Sequence, residues 1–283
     1  MKNIFIISLV FLLSFVLSQK VLKAQQSIDT WLEDSIFKNA SVGLLIVEQN
    51  TNEVIYQKNE NTSLIPASCM KLFSTATACE VLGQNFKFKT EIAYSGKIAQ
   101  NGSLHGNIYI IGYGDPALGA ERFANHYLKP ENFIDEWIQA IKDAGIKKIE
   151  GSIIGDASEF CMPYQPGTWL YEDIGNYYAS PISGLSIYEN IYKLDFATGF
   201  NNGDSTVILG MKPHIEGYSF NNQVVSADKG GDQAYIMGGT ASSQKLVVGS
   251  LPFRKLSYTI RGSIDNPPLL AAQILNDELK KAG

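Results

Sequence analysis

The chain has 283 residues, of which 45% are hydrophobic and 18% charged, with a formal net charge of −5 and a pI near 5.3. This length supports one large domain or two smaller ones, and the composition is that of a globular protein. Because the charge balance is acidic and no basic stripe runs through the chain, nucleic acid is excluded as the expected partner.

The N-terminus predicts an exported protein. A short charged start precedes an apolar run from Ile4 to Ser18. About fifteen apolar residues are typical of a secretory signal and too few for a comfortable membrane span. We therefore assign residues 1–24 to a signal peptide, cleaved after Ser18 or Ala24, and expect a periplasmic or other extracytoplasmic location. The alternative is an uncleaved N-terminal anchor, and loose membrane association is a further interaction that such a segment allows.

The first elements of the predicted mature chain are a helix, a hairpin and a second helix. Ser27–Phe37 is predicted as an amphipathic helix capped by Ser27, and Ser41–Glu48 and Glu53–Gln57 as the strands of the hairpin. Pro66–Gly83 is the second helix, since Pro suits a first helical turn and Gly the residue after the last one. We expect this helix to pack on the hairpin.

The following stretch alternates strands and a helix, which is typical of a small α/β module. The predicted elements are strands at Phe86–Ser95, Leu104–Gly112 and Lys147–Ile154, and a helix at Glu131–Ala144. From Cys161 to Gly262 the pattern indicates only short strands and turns. A final helix is predicted at Leu269–Ala282.

Ser68 and Lys71 stand three residues apart near the start of the second helix, so they share one helix face. The hydroxyl would lie beside unpaired N–H groups at the positive end of the helix dipole. An amine held neutral could take its proton, which is the layout of a serine–lysine acyl-transfer site. An ordinary first-turn serine is the alternative, because the S-x-x-K spacing recurs. The other matches are Ser35-Ile36-Phe37-Lys38, Ser226-Ala227-Asp228-Lys229 and Ser242-Ser243-Gln244-Lys245.

The cysteines and histidines predict neither a disulfide framework nor a metal site. Cys69 and Cys79 are ten residues apart on one helix, roughly 15 Å by helical rise and beyond disulfide reach. One of them could pair with Cys161, but we expect buried free thiols. The three histidines are isolated, without metal-ligand spacing, so no metal and no cofactor are predicted.

Six stretches, in order along the chain, carry a family resemblance. They are Ile65–Lys71, Ile111–Leu118, Gly151–Asp156, Ala179–Ser183, Gly231–Ile236 and Arg261–Pro267. Together they resemble the class C low-molecular-weight penicillin-binding proteins of the penicillin-binding protein 4 type, which are D-Ala-D-Ala carboxypeptidases and endopeptidases. The resemblance implies an α/β (α+β) fold: a penicillin-binding, serine β-lactamase-like domain, of which only the first half is present. A long two-module insertion of mixed α/β and β structure interrupts it.

The resemblance also implies a domain organisation. Residues 25–82 would form the first half of the catalytic domain, residues 83–262 the inserted modules, and residues 263–283 a helix returning to the catalytic domain. In this family the S-x-N and K-T-G motifs follow that helix, so we expect the chain to be a C-terminally truncated fragment. A truncated product that never folds fully is the competing interpretation. The lookalikes Ser219-Phe220-Asn221 and Lys229-Gly230-Gly231 lie in the insertion, and we assign them no catalytic role.

The implied activity is that of a serine-type carboxypeptidase acting on peptidoglycan stem peptides, with β-lactams as inhibitors. Ser68 would be the catalytic nucleophile and Lys71 its base. Asp156, followed by Phe160, would be substrate-binding and take the amino end of the stem peptide's diamino acid, unless Asp156 only makes a polar turn. The alternatives are another serine–lysine hydrolase, such as a β-lactamase or esterase, and a non-catalytic cell-wall binding protein. The sequence predicts no oligomeric state.

Overall fold

The computed structural model describes residues 22–123, 133–160, 165–239 and 242–283, which divide after Phe86 into two compact units. Most of the predicted signal segment lies outside the described residues, as does Cys161. Within the described ranges, no helix combines the length and apolarity that crossing a bilayer requires.

The first unit contains an antiparallel hairpin of two short strands, β1 (Leu44–Val47) and β2 (Val54–Lys58). Its turn is fixed by the Glu48 carboxylate, which accepts hydrogen bonds from the backbone N–H groups of Asn50 at 2.8 Å and Thr51 at 2.6 Å. These bonds, led by the one from Thr51, lower the pKa of the Glu48 carboxyl. The predicted hairpin is confirmed, with a shorter first strand.

Helix α1 spans residues 22–32 and is joined to β2 by the Tyr56 hydroxyl, which donates to Oδ1 of Asp29 at 2.6 Å. The predicted start of this helix at Ser27 is wrong. Ser27 lies inside α1, where its hydroxyl donates to a backbone carbonyl one turn earlier instead of capping the helix. Ser35–Phe37 form a separate 3₁₀ turn.

Helix α2 (Met70–Leu82) follows a 3₁₀ turn at Ala67–Cys69. It ends as predicted at Gly83, which has φ 79° and whose N–H donates to the carbonyl of Cys79 at 3.1 Å. The expected packing of this helix on the hairpin is not seen, because α2 buries none of its side chains within the described structure. Phe73, for example, is 67% exposed.

The second unit begins with two small sheets of mixed direction. One has the strand order β3 (Thr90–Tyr94), β6 (Ile108–Gly112), β8 (Ile153–Asp156), and the other β4 (Lys97–Ile98), β5 (Ser103–His105), β7 (Lys148–Ile149). Two predicted strands are each broken in two, at Gly106 and Gly151. A Cβ on Gly151 would lie 2.0 Å from the carbonyl oxygen of Gly106, so two glycines let the backbones cross there.

Two helices cover these sheets. α3 (Phe133–Asp143) buries five apolar side chains, and α4 (Pro267–Lys281) packs on β8 and β6. The start of α4 is set by Asn266, whose side-chain oxygen accepts from the N–H of Leu269 at 3.1 Å. A Cβ on Gly155 of β8 would lie 2.2 Å from the Pro268 carbonyl oxygen, so the close approach of α4 requires glycine at that position.

The remainder of the second unit is β-structure, as the sequence predicts. One antiparallel sheet has the order β10 (Val207–Lys212), β9 (Ile191–Ala197), β15 (Tyr258–Ser263). The other is built around β14 (Gln244–Pro252), which pairs with β11 (Ser219–Asn222), β12 (Val225–Ala227) and β13 (Gln233–Met237). The core between them includes the fully buried side chains Tyr192, Leu194, Phe196, Ile236 and Leu251.

Candidate active site

The structure brings Ser68 and Lys71 together. Ser68 lies in the 3₁₀ turn before α2, Lys71 in the first turn of α2, and Nζ of Lys71 donates a hydrogen bond to Oγ of Ser68 at 3.0 Å. Ala67, just before the serine, has φ 45°, a left-handed conformation that is uncommon for a residue with a Cβ. The serine is thus presented at a sharp turn just before the first turn of α2.

The other three S-x-x-K matches make no such pair in the described structure. Ser226 is fully buried, and its hydroxyl accepts a hydrogen bond from the N–H of Gly199. Lys245 is fully buried and forms an ion pair with Asp265. The hydroxyl of Ser35 donates to the Asp34 carboxylate instead. Geometry therefore singles out the match that lies in a stretch of the family resemblance.

Both members of the Ser68–Lys71 pair are exposed. A lysine amine accepts a proton only when it is neutral, and burial or a neighbouring cation favours that form. Within the described first unit, α2 buries nothing that could exclude water from the pair. The arrangement therefore supplies a nucleophile and an adjacent amine, but no water-excluding wall.

Asp156 lies at the end of β8, and its Oδ1 accepts a hydrogen bond from the backbone N–H of Ser158 at 2.9 Å. Hydrogen bonds from the side chain and then the backbone of Ser158 lower the pKa of the Asp156 carboxyl. Asp156 thus makes a polar turn with Ser158, and its substrate-binding role stays a prediction.

Phe160, the second predicted binding residue, covers a glycine of the Gly112–Leu118 turn. Gly114 has φ 86°, and a Cβ there would lie 2.7 Å from the Phe160 ring. The glycine is needed both for this backbone conformation and for the close ring contact. The structure therefore places Phe160 against one of the stretches that carry the family resemblance.

Three polar side chains near this turn were missed in the sequence. The Tyr113 hydroxyl donates to Oε2 of Glu91 at 2.8 Å, and Nζ of Lys89 lies 2.8 Å from Oε1 of the same carboxylate. The hydrogen bond from Lys89 is the main cause that lowers the pKa of Glu91, and the bond to Glu91 raises the pKa of Tyr113. The alternation of Lys89 and Glu91 in one extended segment could have indicated that these two side chains lie on the same face. Tyr113, which also binds Glu91, is 22 residues away in the sequence and had no such signal.

Three further predictions concern the cysteines, the lookalike motifs and metal ligands. Cys69 and Cys79 are free, as expected, but both are exposed, so the expectation of buried thiols is wrong for them. Ser219 begins strand β11, and Gly230 and Gly231 form a turn with φ 102° and 66°. In the described part of the chain, no three His, Cys, Asp or Glu side chains cluster as metal ligands would.

Known proteins are similar in sequence to this one over nearly the whole chain. Residues 24–283 match the profile of the D-Ala-D-Ala carboxypeptidase 3 (S13) family. A D-alanyl-D-alanine carboxypeptidase from Actinomadura sp. (strain R39) is 27% identical over 272 residues, which are 93% of this chain and 48% of that protein. D-alanyl-D-alanine carboxypeptidase DacB from Haemophilus influenzae is 25% identical over 255 residues, 89% and 50% of the two chains. The chain spans about half the length of these curated relatives.

Solved structures share the fold. Penicillin binding protein 4 (dacB) from Haemophilus influenzae matches with a TM-score of 0.64 and 24% identity, covering 84% of this chain and 50% of that one. The same protein complexed with a β-lactam matches with a TM-score of 0.60 and 24% identity, covering 87% and 49%. These matches confirm the fold class expected from the family resemblance. The chain belongs to the D-Ala-D-Ala carboxypeptidase 3 (S13) family.

Proposed function

We propose that this chain carries the nucleophile of a serine-type D-Ala-D-Ala carboxypeptidase and endopeptidase that acts on peptidoglycan stem peptides. The observation that carries the proposal is the 3.0 Å hydrogen bond between Lys71 Nζ and Ser68 Oγ at the start of α2. Family membership and the carboxypeptidase names of the relatives support it. β-Lactams would be inhibitors because they acylate the same serine.

The proposed reaction has two steps. Ser68 Oγ attacks the carbonyl of the penultimate D-Ala, a C–O bond forms, and the C–N bond to the terminal D-Ala breaks. Lys71 takes the serine proton and passes it to the leaving amine. Water then cleaves the ester, which releases the shortened peptide and restores the hydroxyl. The N–H of Ser68 supports one side of an oxyanion hole.

We further propose that residues 25–283 alone have little or no activity. The exposure of Ser68 and Lys71 supports this, because the described first unit does not shield the pair from water. A site with one oxyanion donor instead of two typically has a barrier about 2.7–4 kcal/mol higher, a loss of about 10²–10³ in rate. A non-catalytic cell-wall binding protein is the second candidate, favoured by the same exposure. Retention on purified peptidoglycan without labelling by penicillin would support it.

Labelling by a fluorescent penicillin tests this proposal. With excess reagent, we expect well under one label per chain, with the residual label abolished by Ser68→Ala. Ser35→Ala is the matched control, because Ser35 is an exposed S-x-x-K serine of the same unit, and it should leave the label unchanged. Stoichiometric labelling would contradict the proposed low activity. Label that survives Ser68→Ala would contradict the assignment of Ser68 as the nucleophile.

Asp156 is proposed to bind the amino end of the diamino acid in the stem peptide. Its lowered pKa keeps the carboxylate charged at neutral pH. Asp156→Ala should therefore weaken binding of a diaminopimelate-containing peptide severalfold and leave binding of N-acetyl-D-Ala-D-Ala unchanged in titration calorimetry. Equal effects on the two peptides would mean that Asp156 only shapes its turn.

The predicted signal segment supports export, so we propose that the protein works in the periplasm or an equivalent extracytoplasmic space. Peptidoglycan is found there, and the location follows from the proposed substrate. Fractionation of cells that express the chain, with detection of the protein in the periplasmic fraction, checks it. Retention of the full-length chain in the cytoplasm would contradict this location.

A further inference from the structure

Three cationic side chains lie side by side on the β10-β9-β15 sheet. The strand register sets Lys193 of β9 directly opposite Lys212 of β10 on one side and Arg261 of β15 on the other. Side chains at directly opposed positions share a face, and neighbouring strands are about 4.8 Å apart, so the row spans about 10 Å. Like charges placed directly opposite each other destabilise a sheet. A bound anion would offset that repulsion.

The row lines a cleft of about 770 Å³, which we call the cationic cleft. Its charged lining residues are four cations and two carboxylates: Arg122, Lys193, Lys212, Arg261, Glu121 and Glu189. The lining therefore has a net charge of +2, in a chain whose net charge is −5.

Two of the four cations are already neutralised. Lys193 pairs with Glu121 at 2.6 Å, and Arg122 pairs with Glu189 at 2.5 Å. Lys212 and Arg261, at the two ends of the row, form no ion pair with any described residue. The two cations without an ion pair therefore stand on strands about 10 Å apart.

The cleft is held in shape before any ligand arrives. The guanidinium carbon of Arg261 lies 4.1 Å from the centroid of the Tyr177 ring, so the guanidinium plane is supported by an aromatic face. The Glu121 carboxylate already rests on the central lysine, which shows that a carboxylate fits this row. A planar guanidinium is well suited to bidentate binding of a carboxylate.

A strained turn forms one wall. Tyr188, Glu189 and Asn190 have φ values of 53°, 59° and 56°, three consecutive left-handed residues that are not glycine. The buried Asn190 holds the turn, since its Oδ1 accepts from the N–H of Ile187 at 3.1 Å and its amide donates to Pro181 O at 3.0 Å. Strain of this kind persists where the surroundings enforce it, and it clusters at ligand clamps and active sites.

We propose that the cationic cleft binds an acidic peptide through two carboxylates, one on Arg261 and one on Lys212, which stand on strands about 10 Å apart. The two cations without an ion pair match two carboxylates in number. Lys193, which stands between them, is already paired with Glu121. This site goes beyond the proposed reaction and does not use Ser68.

The test uses the whole chain and a fluorescein-labelled tetra-L-glutamate probe, followed by fluorescence anisotropy at neutral pH and low salt. The double variant Lys212→Gln/Arg261→Gln should raise the Kd at least tenfold. The control Lys97→Gln/Lys229→Gln removes the same charge from exposed sites outside the cleft and should change the Kd less than twofold. Glu121→Gln should lower the Kd severalfold because it frees Lys193, a gain that misfolding cannot imitate.

Several results would overturn the proposal. These are no saturable binding by the parent chain, equal weakening in the two double variants, or weaker binding after Glu121→Gln. Tighter binding of tripolyphosphate than of tetra-L-glutamate would overturn the assignment to carboxylates. Penicillin labelling reports on Ser68 separately, so failure here is distinguishable from failure of the proposed acyl transfer.

Discussion

Lys245 and Asp265 form an ion pair in the interior of the second unit, with side-chain exposures of 0% and 6%. Nζ of Lys245 lies 2.6 Å from Oδ2 of Asp265 and also donates to the carbonyls of Gly238 and Gly239. Oδ1 of Asp265 has no hydrogen-bond partner among the described residues. Because Asp265 immediately precedes the capping residue of α4, the pair ties β14 to the start of that helix.

Asp265→Asn should destabilise the protein by about 3–5 kcal/mol, because it leaves a buried ammonium without its counter-charge. Adding Lys245→Met should recover much of the loss, since an apolar side chain needs no counter-charge. Urea unfolding measures both, with the exposed Asp228→Asn as the control. If the double variant is no more stable than Asp265→Asn, the unpaired ammonium of Lys245 is not the cause of the lost stability.

At the level of elements, the close contact between α4 and β8 depends on a glycine, which has no side chain. Gly155 sits in β8 where a Cβ would lie 2.2 Å from the carbonyl oxygen of Pro268, in the first turn of α4. Backbone oxygen cannot move aside as the tip of a flexible side chain can. Helix and strand therefore have to separate if the glycine is replaced.

Gly155→Ala should destabilise the second unit by about 1–3 kcal/mol, the usual range for overpacking in a packed interior. Gly210→Ala is the matched control, because Gly210 lies in strand β10 with no heavy atom within 4 Å of the added Cβ. Thermal unfolding of the two variants beside the parent measures the difference. Equal midpoints for Gly155→Ala and the parent would show that α4 does not rest closely on β8.

At the scale of the whole molecule, the sequence predicts what is encoded locally. The Ser68–Lys71 pair lies within one helical turn, so its spacing and the family resemblance together predict it, and Gly83 marks the end of α2. The start of α1 is missed because Ser27, a common capping residue, bonds inside a helix that begins earlier. Here the local pattern favoured the wrong boundary.

Non-local features had no sequence signal. Lys193, Lys212 and Arg261 become neighbours only through the register of three strands, and Lys193 and Arg261 are separated by 68 positions. Likewise, nothing near Lys245 in the sequence indicates that its partner is Asp265. Family resemblance predicts the fold, whereas such pairings require the folded chain.

The central claim is that Ser68 attacks the substrate carbonyl with help from Lys71. The most direct measurement is prolonged incubation with excess penicillin, followed by intact-mass spectrometry and peptide mapping. A β-lactam has no leaving group, so we predict a mass increase equal to the whole reagent, located on the peptide that contains Ser68. The adduct should form more slowly in Lys71→Met. An adduct on any other residue, an unchanged rate in Lys71→Met, or no adduct under forcing conditions would contradict the claim.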